Sequence, residues 1–352
     1  MAVDIGKLVS EVKEQISLED LSGKVIAIDA YNTIYQFLSI IRQPDGSPLV
    51  DSRNRVTSHL SGLLYRTINL LEARVTPVFV FDGMPPLLKR RTLEARANRR
   101  ENALKEWERA RREGQVEEAR IHAMASTKIN KEIVDSSKEL LTHMGIPFMQ
   151  APSEGEAQGA ALVRDGLAYA SASQDYDSFL FGADVVIRNL TISGRRKLPM
   201  KNVWIEVKTE RIMLKNLLDS LGIDRLQLIH LGMLTGTDFN SGIERVGPKT
   251  ALKIVKEHRS LDDIIAFIKS RYGAEFDSDP KEVEGIFTNP ETNDVSAREF
   301  NSMIKDALPN KDSIIRFMCS EHDFSEERVV KVADRLLELR GQKGQRGINN
   351  WM

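Results

Sequence analysis

Four acidic residues form two close pairs, and their side chains are the first candidates for chemistry. Glu154 and Glu156 lie in Ala-Pro-Ser-Glu-Gly-Glu-Ala, and Asp175 and Asp177 lie in Ser-Gln-Asp-Tyr-Asp. Each pair alone also has an ordinary interpretation. Ser153 and Glu156 have the spacing of a capping box at a helix start, and the second pair fits a solvated turn.

Further acids favour a catalytic interpretation. Asp29 and Asp82 each end a short, continuous apolar run, as Asp175 does. Such runs, flanked by helical patterns, predict parallel strands buried on both faces, and parallel sheets bind ligands at the carboxyl ends of their strands. We therefore expect these acids to meet at one sheet edge, with the glutamate pair entering from a helix start. Asp238, which follows the apolar residues 231–234, is a further candidate.

This many carboxylates cannot share a small volume as bare charges, because like charges repel strongly at short distance. Bound cations would neutralise them, and oxygen ligands without nearby His or Cys favour Mg²⁺ or Mn²⁺ over zinc. Two such ions about 4 Å apart stabilise both the attacking and the leaving oxygen of a phosphodiester displacement. The residues alone therefore predict a metal-dependent enzyme that acts on phosphate esters.

Length and composition narrow the class of protein. At 352 residues, one large α/β domain with a smaller appended part is expected. The formal net charge is only -1, so a nucleic-acid role must be sought in local clusters. The single cysteine, Cys319, excludes an internal disulfide framework. Since no signal peptide or apolar run of membrane length appears, we expect an intracellular, cytoplasmic protein with no membrane partner.

A basic helical pattern between residues 87 and 121 is the most distinctive region by charge. It holds eleven Lys or Arg residues against seven acids, with a break at Gly114. A solvated surface helix and a segment overhanging the acids both fit this composition, and the second would present its basic side chains to phosphate groups. Elsewhere the pattern predicts helices over 1–22 and 57–72 and a loop-rich crossing over 271–312.

A helix-turn-helix unit is predicted between residues 226 and 258. Gly247 allows the backbone to approach a partner closely. Exposed N–H groups at the following helix start, with Lys249, form an anion site suited to a phosphate. Residues 185–207 are predicted to be strands joined by a basic surface loop at 195–197.

Five motifs, in this order, resemble those of the structure-specific flap endonucleases, most closely the archaeal form. They are Val-Phe-Asp-Gly-x-Pro-Pro (80–86), Ala-Pro-Ser-Glu-Gly-Glu-Ala (151–157), Ser-Gln-Asp-Tyr-Asp (173–177), Val-Ile-Arg-Asn-Leu-Thr (186–191) and Gly-Thr-Asp-Phe-Asn (236–240). The resemblance covers essentially the whole chain. It implies an α/β fold of the 5′-nuclease, PIN-like class, with a mostly parallel central sheet, helices on both faces, a helical arch and a helix-hairpin-helix unit.

The resemblance also implies a domain organisation. One nuclease domain would span residues 1–340, and a clamp-binding tail would span 341–352. Within the domain we expect two halves of the α/β core (1–86 and 130–225), the basic helical arch (87–129), the helix-hairpin-helix (226–262) and a C-terminal part that packs on the core (263–340).

The activity that the resemblance implies is removal of 5′ flaps at single-strand/double-strand DNA junctions, with 5′–3′ exonuclease activity, in Okazaki-fragment maturation and repair. The enzyme would act as a monomer on branched DNA, including nicked or gapped duplex. Lys89 and Arg96 of the arch would steer and polarise the scissile phosphate. Two Mg²⁺ ions, replaceable by Mn²⁺, would be held by Asp29, Asp82, Glu154, Glu156, Asp175, Asp177 and Asp238.

Substrate and partner positions are carried over in the same way. Tyr35 matches an aromatic residue on which a base near the cut stacks, and the helix-hairpin-helix of the family often binds K⁺. The other positions assigned to DNA binding are Arg42, Arg66, Arg188, Gly247 and Lys249. The tail resembles a sliding-clamp box formed by Gln345, Ile348, Trp351 and Met352.

Three positions depart from the family pattern. The chain begins Met-Ala where the family often begins Met-Gly, and the clamp box ends Trp-Met in place of a second aromatic residue. Arg245 stands in the hairpin where glycine is common. These departures bear on the processed terminus, on clamp affinity, and on the backbone of the hairpin with its K⁺ site.

Two alternatives remain at this point. One is a non-catalytic scaffold that binds DNA junctions and is tethered to the sliding clamp, although a scaffold has no need to gather mutually repelling acids. The other is a single-strand RNase of related architecture, which has no use for the hairpin and the tail.

Overall fold

A computed structural model of the chain describes residues 3, 5–43, 45–192, 194–197 and 204–349, without the side chains of 195–197, 204–205 and 342–349. Its strands are β1 (Glu14–Ile16), β2 (Val25–Asp29), β3 (Thr76–Phe81), β4 (Phe148–Gln150), β5 (Ala170–Ala172), β6 (Val185–Arg188), β7 (Gly194–Lys197), β8 (Trp204–Val207) and β9 (Thr209–Met213). In the part of the chain that is described, seven strands form one sheet in the order β1-β9-β6-β5-β2-β3-β4. Strands β7 and β8 form a separate antiparallel pair.

The centre of the sheet is parallel, as predicted. Strands β6, β5, β2, β3 and β4 run in the same direction, while β9 pairs antiparallel with both β6 and β1. In β2, Ile26 and Ile28 pack into the core on one face and Ala27 packs into the core on the other. All three side chains are at most 1% exposed. A continuous apolar strand therefore buries both faces, and its first polar side chain comes only at Asp29, where the strand ends.

Helices cover both faces of this sheet. They are α1 (Gly6–Val9), α2 (Ala30–Ile40), α3 (Ser58–Glu72), α4 (Arg90–Arg112), α5 (Val116–Ala125), α6 (Lys131–His143), α7 (Gly155–Arg164), α8 (Asp177–Leu180), α9 (Leu214–Leu221), α10 (Arg225–Thr235), α11 (Pro248–Glu257), α12 (Leu261–Tyr272), α13 (Pro280–Thr288), α14 (Ala297–Asp306), α15 (Lys311–Ile315) and α16 (Glu326–Asn349). Short 3₁₀ turns lie at Ser10–Val12, Glu19–Leu21 and Leu87–Lys89, and a π-helical turn lies at Arg316–Glu321. None of the helices in the described part of the chain is long and apolar enough to cross a membrane.

The basic helical arch consists of the 3₁₀ turn Leu87–Lys89, α4 and α5, and it is thinly packed. The predicted break is confirmed at Gly114, which has a left-handed φ of 73° between the two helices. The buried residues of the two helices are all alanines. They are Ala103, Ala110, Ala119 and Ala123.

The predicted helix over residues 1–22 is wrong beyond its first turn. Among the described residues of this stretch only Gly6–Val9 is α-helical, and residues 14–16 instead form β1 at the edge of the sheet. Glu14 faces Arg211 of β9 in the register, and its carboxylate accepts hydrogen bonds from that guanidinium at 2.8–3.0 Å. Pairing with an available sheet edge outweighs a weak local preference for helix.

The loop-rich crossing predicted over 271–312 is also wrong, because the segment contains α13, α14 and the start of α15. Its polar residues stop and start helices. Asp279 caps α13 ahead of Pro280, Ser296 forms a capping box with Glu299, and Asn310 caps α15. Residues of these types at an N-cap favour the helix that follows them.

Two further predictions concern segments near the limits of the described structure. Residues 195–197 lie in β7 and not in a loop, and their side chains are not described. The backbone of α16 is helical from Glu326 to Asn349, so the helix continues past the predicted tail boundary at 341. Of the predicted clamp box, the side chains of Gln345 and Ile348 and the whole of Trp351 and Met352 lie outside the described residues.

Candidate active site

The carboxyl ends of the central strands open into a cavity of about 900 Å³ beneath the arch. Six of the seven predicted metal acids line it, as do both predicted arch cations. These residues are Asp29, Asp82, Glu154, Glu156, Asp175, Asp238, Lys89 and Arg96. The seventh acid, Asp177, is 5% exposed and is not among the lining residues; its Oδ1 accepts a hydrogen bond from the Val3 N–H at 2.8 Å.

Asp29 is placed by the junction of β2 and α2. It ends the strand and caps the helix, because its Oδ1 accepts from the Asn32 N–H at 2.9 Å. The Asn32 side chain in turn donates from Nδ2 to Asp175 Oδ2 at 3.3 Å. Asn32 therefore links two acids that lie 146 positions apart in the sequence, Asp29 through its backbone N–H and Asp175 through its side chain.

Asp82 joins the end of β3 to the start of α7. Its Oδ1 accepts from the Gly155 N–H at 2.7 Å, and a Cβ added to Gly155 would lie 2.6 Å from the same oxygen. The capping box predicted for Ser153 and Glu156 is wrong, since Glu154 is the N-cap residue and makes no side-chain cap. The Asp82 side chain instead accepts from the first N–H of α7, so the end of β3 and the start of α7 hold each other in place.

Cations of the arch reach into the cluster of acids. Lys89 is 9% exposed, donates to Glu154, and lies 3.4 Å from Asp238 Oδ2. Arg96 Nη2 lies 2.5 Å from Asp238 Oδ1. For these two residues, the interpretation of the arch as a merely solvated surface helix is therefore excluded.

Burial and mutual repulsion set the protonation of the acids. Burial first, and then the charge of Asp82, raises the pKa of Asp29 well above its usual value, and burial with Asp177 does the same to Glu156. Burial, followed by the charge of Asp238, raises the pKa of Asp177 to about 7. Burial also favours the neutral form of Asp238, but Lys89 and Arg96 outweigh it and lower its pKa. The acids with strongly raised pKa values, Asp29, Glu156 and Asp177, are thus not the ones that Lys89 and Arg96 contact.

The donor set suits hard divalent cations. Every candidate ligand is a carboxylate, which is the ligand that Mg²⁺ and Mn²⁺ prefer. As they stand, however, no three Asp, Glu, His or Cys side chains among the described residues are arranged to hold one metal ion. Lys89 and Arg96 engage Glu154 and Asp238 instead, so a metal ion would compete with these cations for the same oxygens.

The residues assigned to DNA binding fall into two groups. Tyr35 is 38% exposed and lines the cavity, and Lys249 is exposed at the start of α11. Arg42 instead donates to the Gly46 carbonyl at 2.8 Å and to Thr127 Oγ1 at 2.6 Å, joining the loop after α2 to the end of the arch. The Arg42 guanidinium is therefore engaged within the protein.

Arg188 is likewise engaged within the protein. Its Nη1 donates to the Tyr176 hydroxyl at 2.6 Å, and its guanidinium stacks over the Tyr176 ring at 4.4 Å. Its Nε donates to the Gln174 carbonyl at 3.2 Å, next to Asp175. Arg66, on α3, is exposed.

The hairpin between α10 and α11 keeps its glycine-like backbone despite the substitution. Arg245 has a left-handed φ of 67°, and its side chain is 86% exposed. Gly247 is the N-cap of α11, and a Cβ added there would meet nothing within 4 Å. Pro248 is the first residue of α11. The backbone at this helix start therefore faces open space.

Sequence reasoning missed several residues of the cleft. Arg99 and Arg100 line the cavity beside Arg96, and their spacing of three and four residues along the helix could have identified them. Asn32 could have been identified from its position three residues after Asp29, at a helix start. The hydrogen bond from Gly155 to Asp82 spans 73 residues, and no local pattern signals it.

Comparison with known proteins identifies relatives over the full length of the chain. Residues 1–103 match the XPG N-terminal domain, and residues 145–238 match the XPG I-region. Flap endonuclease 1 of Methanosarcina acetivorans is 49% identical, with 100% of both chains covered. Flap endonuclease 1 of Pyrococcus furiosus is 48% identical, with 100% of this chain and 99% of the relative covered.

Solved structures agree with this result. Flap endonuclease-1 from Methanococcus jannaschii superposes with a TM-score of 0.73 at 36% identity, over 97% of this chain and 99% of the other. The catalytic core of Rad2 in complex with a DNA substrate has a TM-score of 0.70 at 23% identity, over 96% of this chain and 100% of the other. The second match establishes the fold alone.

Proposed function

The chain belongs to the flap endonuclease family and is a structure-specific nuclease, and we propose that it cuts 5′ flaps at single-strand/double-strand DNA junctions with the help of Mg²⁺. One observation carries the proposal. Six carboxylates and two cations from separate elements line a single cavity at the carboxyl ends of parallel strands. Buried acids with raised pKa values, gathered in a cleft, mark a functional site rather than a scaffold.

The acids would hold the metal ions, and the ions, when bound, supply an activated water and stabilise the charge that develops on the phosphate. Asp29, Asp82 and Asp175 are fixed by strand ends, hydrogen bonds and a helix cap, so their positions are set before substrate arrives. Asp177 is not among the residues that line the cavity, and its carboxylate accepts a hydrogen bond from the Val3 N–H. We assign it a supporting role in the site.

Lys89 and Arg96 would change partners during the reaction. Without substrate they neutralise Glu154 and Asp238. A scissile phosphate would offer these cations a new anion, and the carboxylates released from them would be free to hold metal ions. The cations would then stabilise the negative charge that grows on the phosphate in the transition state.

DNA would bind on both sides of the cleft. Arg99 and Arg100 line the arch side of the cavity, and Tyr35 offers an exposed ring to a base near the cut. On the other side, the start of α11 with Lys249 provides backbone N–H groups for a phosphate of the downstream duplex. A K⁺ ion at the hairpin belongs to the same proposal.

The substitution Asp175→Asn tests the proposal, with a labelled 5′-flap substrate at ordinary Mg²⁺ concentration. Single-turnover cleavage is expected to fall by orders of magnitude, because one charge of the metal-holding cluster is lost. Binding of the flap substrate, measured without cleavage, is expected to persist, because the arch and hairpin are unchanged. Retained cleavage would refute the assignment of the acids, and a parent chain that binds but never cuts would favour the scaffold.

We further propose that the chain is tethered to a sliding clamp by residues 341–352, for work in lagging-strand maturation and repair. In support, Ile348, Trp351 and Met352 have the spacing of one helical face, and the backbone is helical up to Asn349. Truncation after Gly344 is expected to leave cleavage by the free enzyme intact and to abolish stimulation by the clamp. A truncated chain that is inactive alone, or one still fully stimulated, would contradict this.

A further inference from the structure

Residues 236–242 join the predicted metal acid Asp238 to the hairpin and form a rigid turn. Asn240 donates from Nδ2 to the Met233 carbonyl at 2.6 Å, and the Thr237 hydroxyl donates to Asn240 Oδ1 at 2.8 Å. Asp238 and Asn240 are 7% and 5% exposed. Because the turn is buried and internally bonded, a displacement at its hairpin end moves Asp238 as well.

Asp277, in the connection between α12 and α13, holds this turn from outside. Its Oδ1 accepts from the Ser241 N–H at 3.1 Å, and its Oδ2 accepts from the Ser241 hydroxyl at 2.7 Å. The neighbouring Ser278 donates from its hydroxyl to the Phe239 carbonyl at 3.0 Å. Two successive side chains thus fix two residues of the turn.

The same carboxylate also binds the base of the arch. Arg91 Nη1 lies 3.0 Å from Asp277 Oδ2 and donates to the Asp277 carbonyl at 3.4 Å. Arg91 is in the first turn of α4, two residues after Lys89. The arch is therefore linked to the turn in two ways, directly through Lys89 and Arg96 on Asp238, and indirectly through Arg91 on Asp277.

We propose that Asp277 is a positioning residue that couples duplex DNA on the hairpin to the arch cations over the scissile phosphate. The inference rests on the proposed function, in which the hairpin holds the downstream duplex. A duplex that pulls on the hairpin shifts the turn, and the turn moves Asp238 and, through Asp277, the base of α4. Lys89 and Arg96 then reach their working positions only when duplex is bound.

An ordinary surface ion pair is the simpler explanation of the Arg91 contact. Arg91 is 69% exposed, and exposed pairs contribute little to stability. The chain offers a matched control in the next residue, since Arg90 Nε lies 2.9 Å from Glu94 Oε1 within the same helix. Removing Arg90 or Arg91 deletes the same charge from the arch base, but only Arg91 touches the turn through Asp277.

The experiment measures single-turnover cleavage of two 5′-flap substrates, one whose downstream duplex reaches the hairpin and one whose duplex ends short of it. The variants are Arg91→Ala, Asp277→Ala, Ser241→Ala, the double variant of Arg91 and Asp277, and Arg90→Ala as control. Arg91→Lys keeps the charge and restores part of the contact. Melting temperature and substrate affinity are measured for every variant.

We expect the first three variants to lower cleavage of the long-duplex substrate about 3- to 10-fold and to leave the short-duplex substrate nearly unchanged. The double variant should be no slower than either single variant, and Arg91→Lys should recover part of the rate. Equal losses on both substrates, an equal loss in Arg90→Ala, or additive losses would overturn the inference. If the parent chain cuts both substrates at one rate, the duplex contact that the proposed function assigns to the hairpin is refuted, and the role of Asp277 is refuted with it.

Discussion

The acidic cleft and the hairpin are the two regions proposed to bind DNA, and they are built in opposite ways. The cleft gathers buried, mutually repelling side chains that strand ends and helix caps hold in place, as the hydrogen bond from Gly155 to Asp82 illustrates. The hairpin offers an open helix start and exposed basic side chains, including Arg245 and Lys249. The first region depends on exact placement of charge, and the second depends mainly on backbone direction. Substitutions in the cleft should therefore change the rate of cleavage, and substitutions in the hairpin should change the affinity for the substrate.

The largest effect that separates the two regions is expected from the arch cations. Lys89→Ala or Arg96→Ala should slow single-turnover cleavage about 100-fold or more, because each removes a cation from the transition state. Substrate affinity should fall much less. Lys105→Ala, whose partner is Glu101 on the exposed face of the same helix, is the control and should retain the parental rate. If both variants only weaken binding, Lys89 and Arg96 act like hairpin residues and the comparison fails.

A smaller loss is expected from a change that removes no charge from the cleft. Gly155→Ala places a Cβ 2.6 Å from Asp82 Oδ1, so the carboxylate or the start of α7 must move. Since a misplacement of about 1 Å can cost about 100-fold, we expect a 10- to 100-fold slower cleavage step, roughly, with unchanged substrate affinity. Gly285→Ala is the matched control, because its Cβ would meet nothing within 4 Å. Cleavage by Gly155→Ala at the parental rate would show that the cleft tolerates a displacement of Asp82 or of the start of α7.

The smallest effect is expected in the hairpin, from Arg245→Gly. A left-handed residue with a side chain costs roughly 1–2 kcal/mol relative to its usual conformation, so glycine at φ 67° should raise the melting temperature slightly. If Arg245 contacts a phosphate, the plot of log affinity against log salt should flatten by about one contact. The cleavage step itself should not change. An unchanged salt slope would leave Arg245 without a phosphate contact.

The meeting of the candidate acids at one sheet edge was predictable from the sequence, because the ends of buried strands leave a clear pattern. Asp29 and Asp82 are the first polar residues after continuous apolar runs, and parallel strands must end at a common edge. What holds them was not predictable. The contact of Asp82 with Gly155 and that of Asn32 with Asp175 join segments far apart in the chain, so only the folded sheet brings them together.

Elsewhere the same residue types supported two interpretations. Asp279, Ser296 and Asn310 suggested loops by composition, yet each begins a helix. At the N-terminus, residues 14–16 carry no signal that a sheet edge will be available to them. The caps bond to N–H groups two or three residues away, so the local sequence contained their signal. The partner of the edge strand β1 is β9, almost 200 residues away, and no local pattern identifies it.

The alanine-only contact of the arch has a consequence for the order in which the protein loosens. Ala103, Ala110, Ala119 and Ala123 bury little apolar area compared with the Phe, Ile and Leu side chains of the sheet core. The arch is therefore a separate unit of low local stability, able to open while the sheet stays folded. Amide hydrogens between 90 and 125 should exchange through such openings, long before those of β2 and β3. Low local stability is thus expected in the part of the molecule that overhangs the acidic cavity.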